Sequence, residues 1–232
     1  MSKRIPVTAP GMAGLELTDA AVRAEPGRDV LFVPDLDTPQ RVWREWRALF
    51  EKAGYRTLAP EVSGGRPEHF VERTTERMLD LVDERGVHPH LIGVGHGALV
   101  ALCVVDELGD RPASPEAGTS GAVAVGGPAI SLEQLGIRAD AERARPLLLI
   151  GGDQDPELSM AAMRERYAAY AAAGRVELII GQGTAHALAY GAGWRETSAA
   201  ALAFCNGLSR AAQRRRLPLV TETATAGLAA VL

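Results

Sequence analysis

A few residues of this chain combine type and spacing in ways that could do chemistry. Gly95 and His96 lie in the stretch Leu91-Ile92-Gly93-Val94-Gly95-His96-Gly97, an apolar run that ends in alternating glycines. Asp35 and Asp37 follow the apolar run Arg28 to Pro34, Asp155 follows Leu149-Ile150-Gly151-Gly152, and His186 follows Ile179-Ile180-Gly181-Gln182-Gly183. An imidazole held by a carboxylate is a base with a fixed tautomer and a stabilised imidazolium. Such general acid–base chemistry contributes about 10²–10⁴-fold to a rate.

The glycine stretch looks like a nucleophile elbow, the G-x-S-x-G turn between a strand and a helix, with glycine at its centre. The flanks of such a turn must be small so that strand and helix can approach. Gly93 and Gly97 satisfy that requirement around Gly95. Centring the turn on His96 would put Val94 at a flank, where its side chain clashes. Gly95 is therefore the central residue, and it has no side chain with which to attack a substrate.

The surrounding elements alternate. Arg28 to Pro34, Tyr55 to Pro60, His90 to Val94, Gly121 to Val125, Pro146 to Ile150 and Arg175 to Ile180 are short apolar or β-branched runs, as expected for buried parallel strands. Helices are expected over Gln40 to Ala53, Glu68 to Gly86, Ala98 to Leu108, Glu157 to Ala173 and Trp194 to Arg214. In the first of these Val42, Trp46, Leu49, Phe50 and Ala53 form the apolar face and Trp43 is expected at its edge; Thr38 is the expected N-cap and Pro39 the first helical residue. Repeated βα units predict an α/β fold of three layers, α/β/α, with a mostly parallel twisted sheet. Arg4 to Val7 and Gly14 to Leu17 could add edge strands, and residues 217–232 form a packed or partner-contacting tail.

Over about Arg28 to Leu208 the order of these pieces resembles the α/β-hydrolase superfamily, as a member whose elbow serine is replaced by glycine. Three motifs carry the resemblance: the elbow around Gly95, the strand end Leu149 to Pro156 with Asp155 at the place of the family's acid, and Ile179 to His186 with His186 at the place of its histidine. The length predicts a single domain, 1–232, with its core at about 28–208, and the short stretch between the strands at Gly121 to Val125 and Pro146 to Ile150 leaves room only for a minimal cap at about 128–145; the resemblance implies loops that gather at the carboxyl ends of the strands. It also implies backbone N–H donors at Leu36 and His96 for an oxyanion. The family's oxyanion loop usually begins with His-Gly, whereas this chain reads Pro34-Asp35-Leu36, so Asp35 brings negative charge that opposes an oxyanion. Asp35 and Asp37 could instead pair with His96 or hold a polar substrate group.

The reaction expected on this reading is cofactor-independent and non-hydrolytic: a cyclisation, elimination, isomerisation or aldol-type step on a small hydrophobic metabolite, as in natural-product biosynthesis. His186 is the general base, Asp155 its orienter, and His96 a further candidate for proton transfer. One alternative is an inactive relative that binds a ligand or protein; another is a weak hydrolase in which His186 activates water. Removal of the serine costs a serine hydrolase roughly a millionfold in turnover, which argues against acyl-enzyme chemistry.

A net charge of −4, with 47% hydrophobic and 23% charged residues, argues against nucleic-acid or anionic-membrane partners. No cofactor or metal is expected, since His69, His88 and His90 lack ligand spacing and are read as surface or loop residues. Cys103 and Cys205 are expected to be free thiols. The predominance of arginine over lysine suggests a GC-rich bacterial genome. With no apolar run long enough for a span, a cytoplasmic location is expected, with a small-molecule substrate or ligand and, as an open possibility, a homodimer.

Overall fold

In the computed structural model, residues 28–33, 35–36, 41–61, 69–86, 88–110, 120–137 and 144–216 are described. The expected edge strands before residue 28, Asp37, the Thr38-Pro39 helix start, part of the cap and the tail from 217 lie outside these residues.

Among the described residues six parallel strands form one sheet in the order β2-β1-β3-β4-β5-β6: β1 (Asp29–Val33), β2 (Arg56–Leu58), β3 (His90–Val94), β4 (Ala122–Val125), β5 (Leu147–Gly152) and β6 (Val176–Gly181). Successive side chains along each strand alternate between two cores. Val30, Phe32, Ile92, Val125 and Ile150 face α1 (Arg41–Lys52) and α5 (Trp194–Arg216). Leu31, Val33, Leu91, Ala124 and Leu149 face α2 (Phe70–Arg85), α3 (His96–Gly109) and α4 (Met160–Ala173). This is the expected three-layer α/β/α arrangement. Strands buried on both faces must read as continuous apolar runs, which is why the sequence signalled them clearly.

From β1, one strand in from the edge, the chain passes out to β2 and then crosses back over β1 to β3. Such a reversal between β1 and β3 opens a crevice beyond the strand ends, where open parallel sheets bind ligands. The loops after β1, β3, β4, β5 and β6 all end on that side.

Three expectations need correction. Trp43 is buried, not at the edge: Trp43, Trp46 and Phe50 form the core stripe of α1 at i, i+3 and i+7, with Val42 and Leu49 only partly covered. The Trp43 ring stacks at 4.9 Å on Phe32, and Trp46 Nε1 donates to the Ala189 carbonyl at 3.0 Å. His90 is not on the surface. It is 1% exposed in β3, and its Nε2 lies 3.3 Å from Ser209 Oγ, which in turn meets Tyr55 Oη at 3.1 Å. Finally, the helix expected from Glu157 begins at Met160. Ser159 caps it by accepting from Ala162 N at 3.2 Å, and Glu157 and Leu158 remain in the preceding turn.

The described part of the expected cap, 128–137, is tied to the body by one buried side chain. Arg166 Nη2 donates to the carbonyls of Pro128 and Ile130 at 3.0 and 3.1 Å, while Leu132 and Ile137 enter the core. Charge-assisted bonds contribute about 1.5–3 kcal/mol each. Arg166→Ala is therefore expected to lower stability by about 3 kcal/mol and to speed amide exchange across 128–137. Exchange unchanged in that segment would mean that other contacts hold it.

Candidate active site

The turn between β3 and α3 has the geometry that the glycine spacing predicts. Gly95 has φ 61° and ψ −127°, a conformation disfavoured for side-chain-bearing residues, and its N–H donates to Val125 O at 3.1 Å. Gly93 permits the close approach of strand and helix, since a Cβ there would lie 2.0 Å from Gly97 O.

The space above Gly95 is occupied by Asp35. A Cβ on Gly95 would stand 2.0 Å from Asp35 Oδ2 and 2.5 Å from its Cγ. Asp35 Oδ1 accepts from the backbone N–H groups of Leu36 and His96, each at 2.8 Å, and lies 3.1 Å from His96 Nδ1. Leu36 and His96 are the two donors the resemblance implied for an oxyanion. Both bond to the chain's own carboxylate. The side chain of Asp35 is 10% exposed and that of His96 32%, so the carboxylate is largely shielded while the imidazole reaches solvent.

On the other side of the β4 end, Asp155 and His186 meet. Asp155 lies in the turn after β5 with its side chain fully buried, and Oδ1 accepts from Glu157 N at 2.8 Å and Leu158 N at 3.1 Å. These two N–H groups compensate its desolvation and hold its carboxylate fixed. His186 Nδ1 lies 3.0 Å from Oδ2 and 3.2 Å from Oδ1. A carboxylate so near favours the tautomer that carries its proton on Nδ1, in which the Nε2 lone pair is the acceptor. Nε2 lies 3.5 Å from Glu157 Oε2, a half-exposed carboxylate placed to pair with an imidazolium.

The loop after β6 is closed onto β5, which brings His186 to Asp155. Gln154 N donates to Thr184 O at 3.0 Å, Thr184 N to Asp153 Oδ1 at 3.2 Å, and Gly152 leaves no room for a Cβ beside Thr184 O. The two halves adjoin at Gly126-Gly127. A Cβ on Gly127 would lie 2.6 Å from Gly95 O, and one on Gly126 would lie 3.6 Å from His186 Cε1.

His96 also borders an open cavity of about 720 Å³ between α2, α3 and 128–137, with Leu79, Leu135 and Ile137 among its apolar walls. Cys103 faces this cavity, but burial pushes its thiol up to about 11, so it is a neutral thiol at neutral pH. Among the described residues no group of three or more His, Cys, Asp or Glu could hold a metal ion, and no helix is long and apolar enough to cross a membrane.

Solved structures share this architecture. A monoacylglycerol lipase from Paleococcus ferrophilus is 14% identical, with 79% of this chain and 96% of that chain covered at a TM-score of 0.63. A predicted CIB-like hydrolase from Thermoplasma acidophilum is 18% identical over 78% and 87% at 0.60. Est1E from Butyrivibrio proteoclasticus is 13% identical over 81% and 90% at 0.61. The chain has the α/β-hydrolase fold. At these identities the likeness concerns the fold alone. No protein-family model and no curated protein matches the sequence.

Within the α/β-hydrolase fold of this chain, the described residues that the sequence singles out lie beyond the carboxyl ends of the strands in two groups: Asp35, Leu36, Gly95 and His96 in one, Asp155 and His186 in the other. Sequence reasoning missed Glu157, which stands two residues beyond Asp155 on the same turn and was assigned to a helix. It also missed Arg166, whose role depends on carbonyls 36 and 38 residues away.

Proposed function

We propose that this chain is an enzyme that works without a serine acyl-enzyme, with His186 as general base and Asp155 as the residue that orients it, acting on a small hydrophobic substrate. Gly95 is read as standing at the nucleophile's position with nothing to attack. The observation that carries the proposal is the contact of His186 Nδ1 with a buried, doubly hydrogen-bonded carboxylate, which favours Nε2 as the acceptor. The side chain of His186 is 23% exposed, enough for a water or a small substrate to reach it.

The reaction favoured is hydrolysis in which His186 takes the proton of a water. The structural neighbours described as hydrolases and lipases support that class. A second reading keeps the base and dispenses with water, giving a cyclisation, elimination, isomerisation or aldol-type step. It is favoured by the engagement of both oxyanion donors with Asp35, which leaves the site poorly suited to an external oxyanion.

The test is mass spectrometry of small-molecule extracts from the source organism, incubated with wild-type protein and with His186→Ala. Conversion is expected to fall about 10²–10⁴-fold in the variant. Products whose masses together exceed that of the substrate by one water support hydrolysis, and products whose summed mass is unchanged, or a single product lighter by one expelled small molecule, support the second reading. Equal conversion by both proteins overturns the role of His186, and a compound retained but unconverted by both would make the chain a binding protein.

A further inference from the structure

We infer that the groove between α1 and the loop after His186 is a ligand site of its own, one that takes a small aromatic ring bearing a single negative charge, such as an aryl carboxylate. It stands apart from the proton transfer assigned to His186 and does not depend on it.

The groove has a volume of about 510 Å³, and its walls include Trp46, Tyr190 and Trp194 together with Arg41, Arg44 and Glu45. It is built on fixed parts. Trp46 is buried beneath it, and its indole N–H donates to Ala189 O at 3.0 Å, which ties α1 to the loop. Gly191 N donates to Ala187 O at 2.6 Å and Trp194 N to Gly191 O at 3.2 Å, so successive turns hold Tyr190 and Trp194 at the groove.

Tyr190 is the aromatic side chain that the two cores leave out. It is 49% exposed, more than any other large hydrophobic side chain among the described residues. A ring left in water at the wall of a concavity offers a face on which another ring can stack. Trp194, in the same wall, is only partly covered, and Arg195 Cζ lies 4.9 Å from its ring centroid, which adds positive potential there.

The arginines decide the charge of the ligand. Arg41 and Arg44 stand one helical turn apart, both exposed, and neither has an ion-pair partner among the described residues. The next arginine of the series, Arg47, is already committed: Nη2 lies 3.4 Å from Glu51 Oε1, and Nε donates to Thr57 Oγ1 at 3.0 Å. Nor do Arg41 and Arg44 serve the helix. α1 has no acidic residue in its first turn, and cations at that end oppose the helix dipole. Guanidinium groups present forked N–H donors that match a carboxylate. Glu45 offsets one of the two positive charges and no further charged residue lines the groove, so one negative charge is the match.

An exposed tyrosine beside two exposed arginines would look the same on an ordinary surface, so the test must read ring and charge together. 2-Naphthoate is the probe, titrated calorimetrically into wild type, Arg41→Gln/Arg44→Gln, Tyr190→Ala, Arg47→Gln and His186→Ala. The substituted groove positions are exposed, where such changes leave the fold intact. Wild type is expected to bind a single equivalent. The arginine double variant binds at least about tenfold more weakly, and Tyr190→Ala about threefold to tenfold more weakly. Arg47→Gln and His186→Ala bind as wild type does. 2-Naphthylmethylamine, which reverses the charge, and cyclohexanecarboxylate, which lacks the ring, each bind wild type at least about tenfold more weakly than 2-naphthoate. Absence of saturable binding to wild type up to about 10 mM, undiminished affinity in Arg41→Gln/Arg44→Gln, or an amine bound as tightly as the acid overturns the inference and leaves the role of His186 standing. Binding lost in His186→Ala but kept in both groove variants would seat the acid at His186 instead, and also overturns it.

Discussion

The double variant Asp35→Ala/Gly95→Ser is expected to hydrolyse p-nitrophenyl acetate at least about 10³-fold faster than either single variant, since one oxyanion donor alone is worth about 10²–10³ in turnover. Each substitution supplies something the other lacks. Asp35→Ala frees the N–H groups of Leu36 and His96 but leaves no hydroxyl at position 95. Gly95→Ser supplies the hydroxyl, but its Cβ would stand 2.0 Å from Asp35 Oδ2, and making room means breaking bonds of 2.8 Å to two backbone donors. Serine at φ 61° adds strain of about 1–3 kcal/mol, so the double variant should also melt below wild type. The non-additive gain is the informative quantity, because residues that share one space do not combine independently. Equal ester cleavage by Gly95→Ser alone and by the double variant would show that Asp35 does not obstruct the elbow.

Gly93→Ala is expected to be the most damaging single substitution near the site, at more than about 4 kcal/mol, a size reached only through a few definite mechanisms. Its Cβ would lie 2.0 Å from Gly97 O, 2.4 Å from Gly97 C and 2.7 Å from Ala98 N. All three are backbone atoms, and they belong to the first turn of a helix whose residues from Gly97 to Leu102 are buried. They cannot retreat without displacing α3. Gly193 is the control, since a Cβ there meets nothing within 4 Å and its backbone is unstrained; Gly193→Ala should change stability by less than about 0.5 kcal/mol. Thermal unfolding of the two variants measures the contrast. A Gly93→Ala protein that melts beside wild type would remove the close-approach explanation of the glycine pattern.

The fold was legible because its information is local. β1, β3, β4 and β5 are buried on both faces and so read as largely apolar runs, while the glycines at 93 and 97 mark the close approach of strand and helix. Trp43 was misplaced because a helical stripe can be drawn through either 42, 46 and 49 or 43, 46 and 50, and only the position of Phe32 decides between them. His90 was misread because its partner Ser209 lies 119 residues away. Within the candidate site, the order Gly95, Asp155, His186 was visible, and Asp35 was visible as a departure. That its carboxylate takes the N–H of His96, 61 residues further on, depends on side-chain placement across two loops, which no local pattern encodes. Glu157 was hidden for a related reason: Asp155 accepts the N–H groups of the next turn, delays the helix and leaves Glu157 beside His186.

The decisive quantity is the pair of backbone amide proton shifts at Leu36 and His96, compared between wild type and Asp35→Ala by nitrogen-edited NMR. Hydrogen bonds to an ionised acceptor are short and strong, so both protons should resonate downfield in wild type and move upfield together when the carboxylate is removed. If neither resonance responds, or only that of Leu36 does, Asp35 does not fill the elbow, and its obstruction of an oxyanion does not survive.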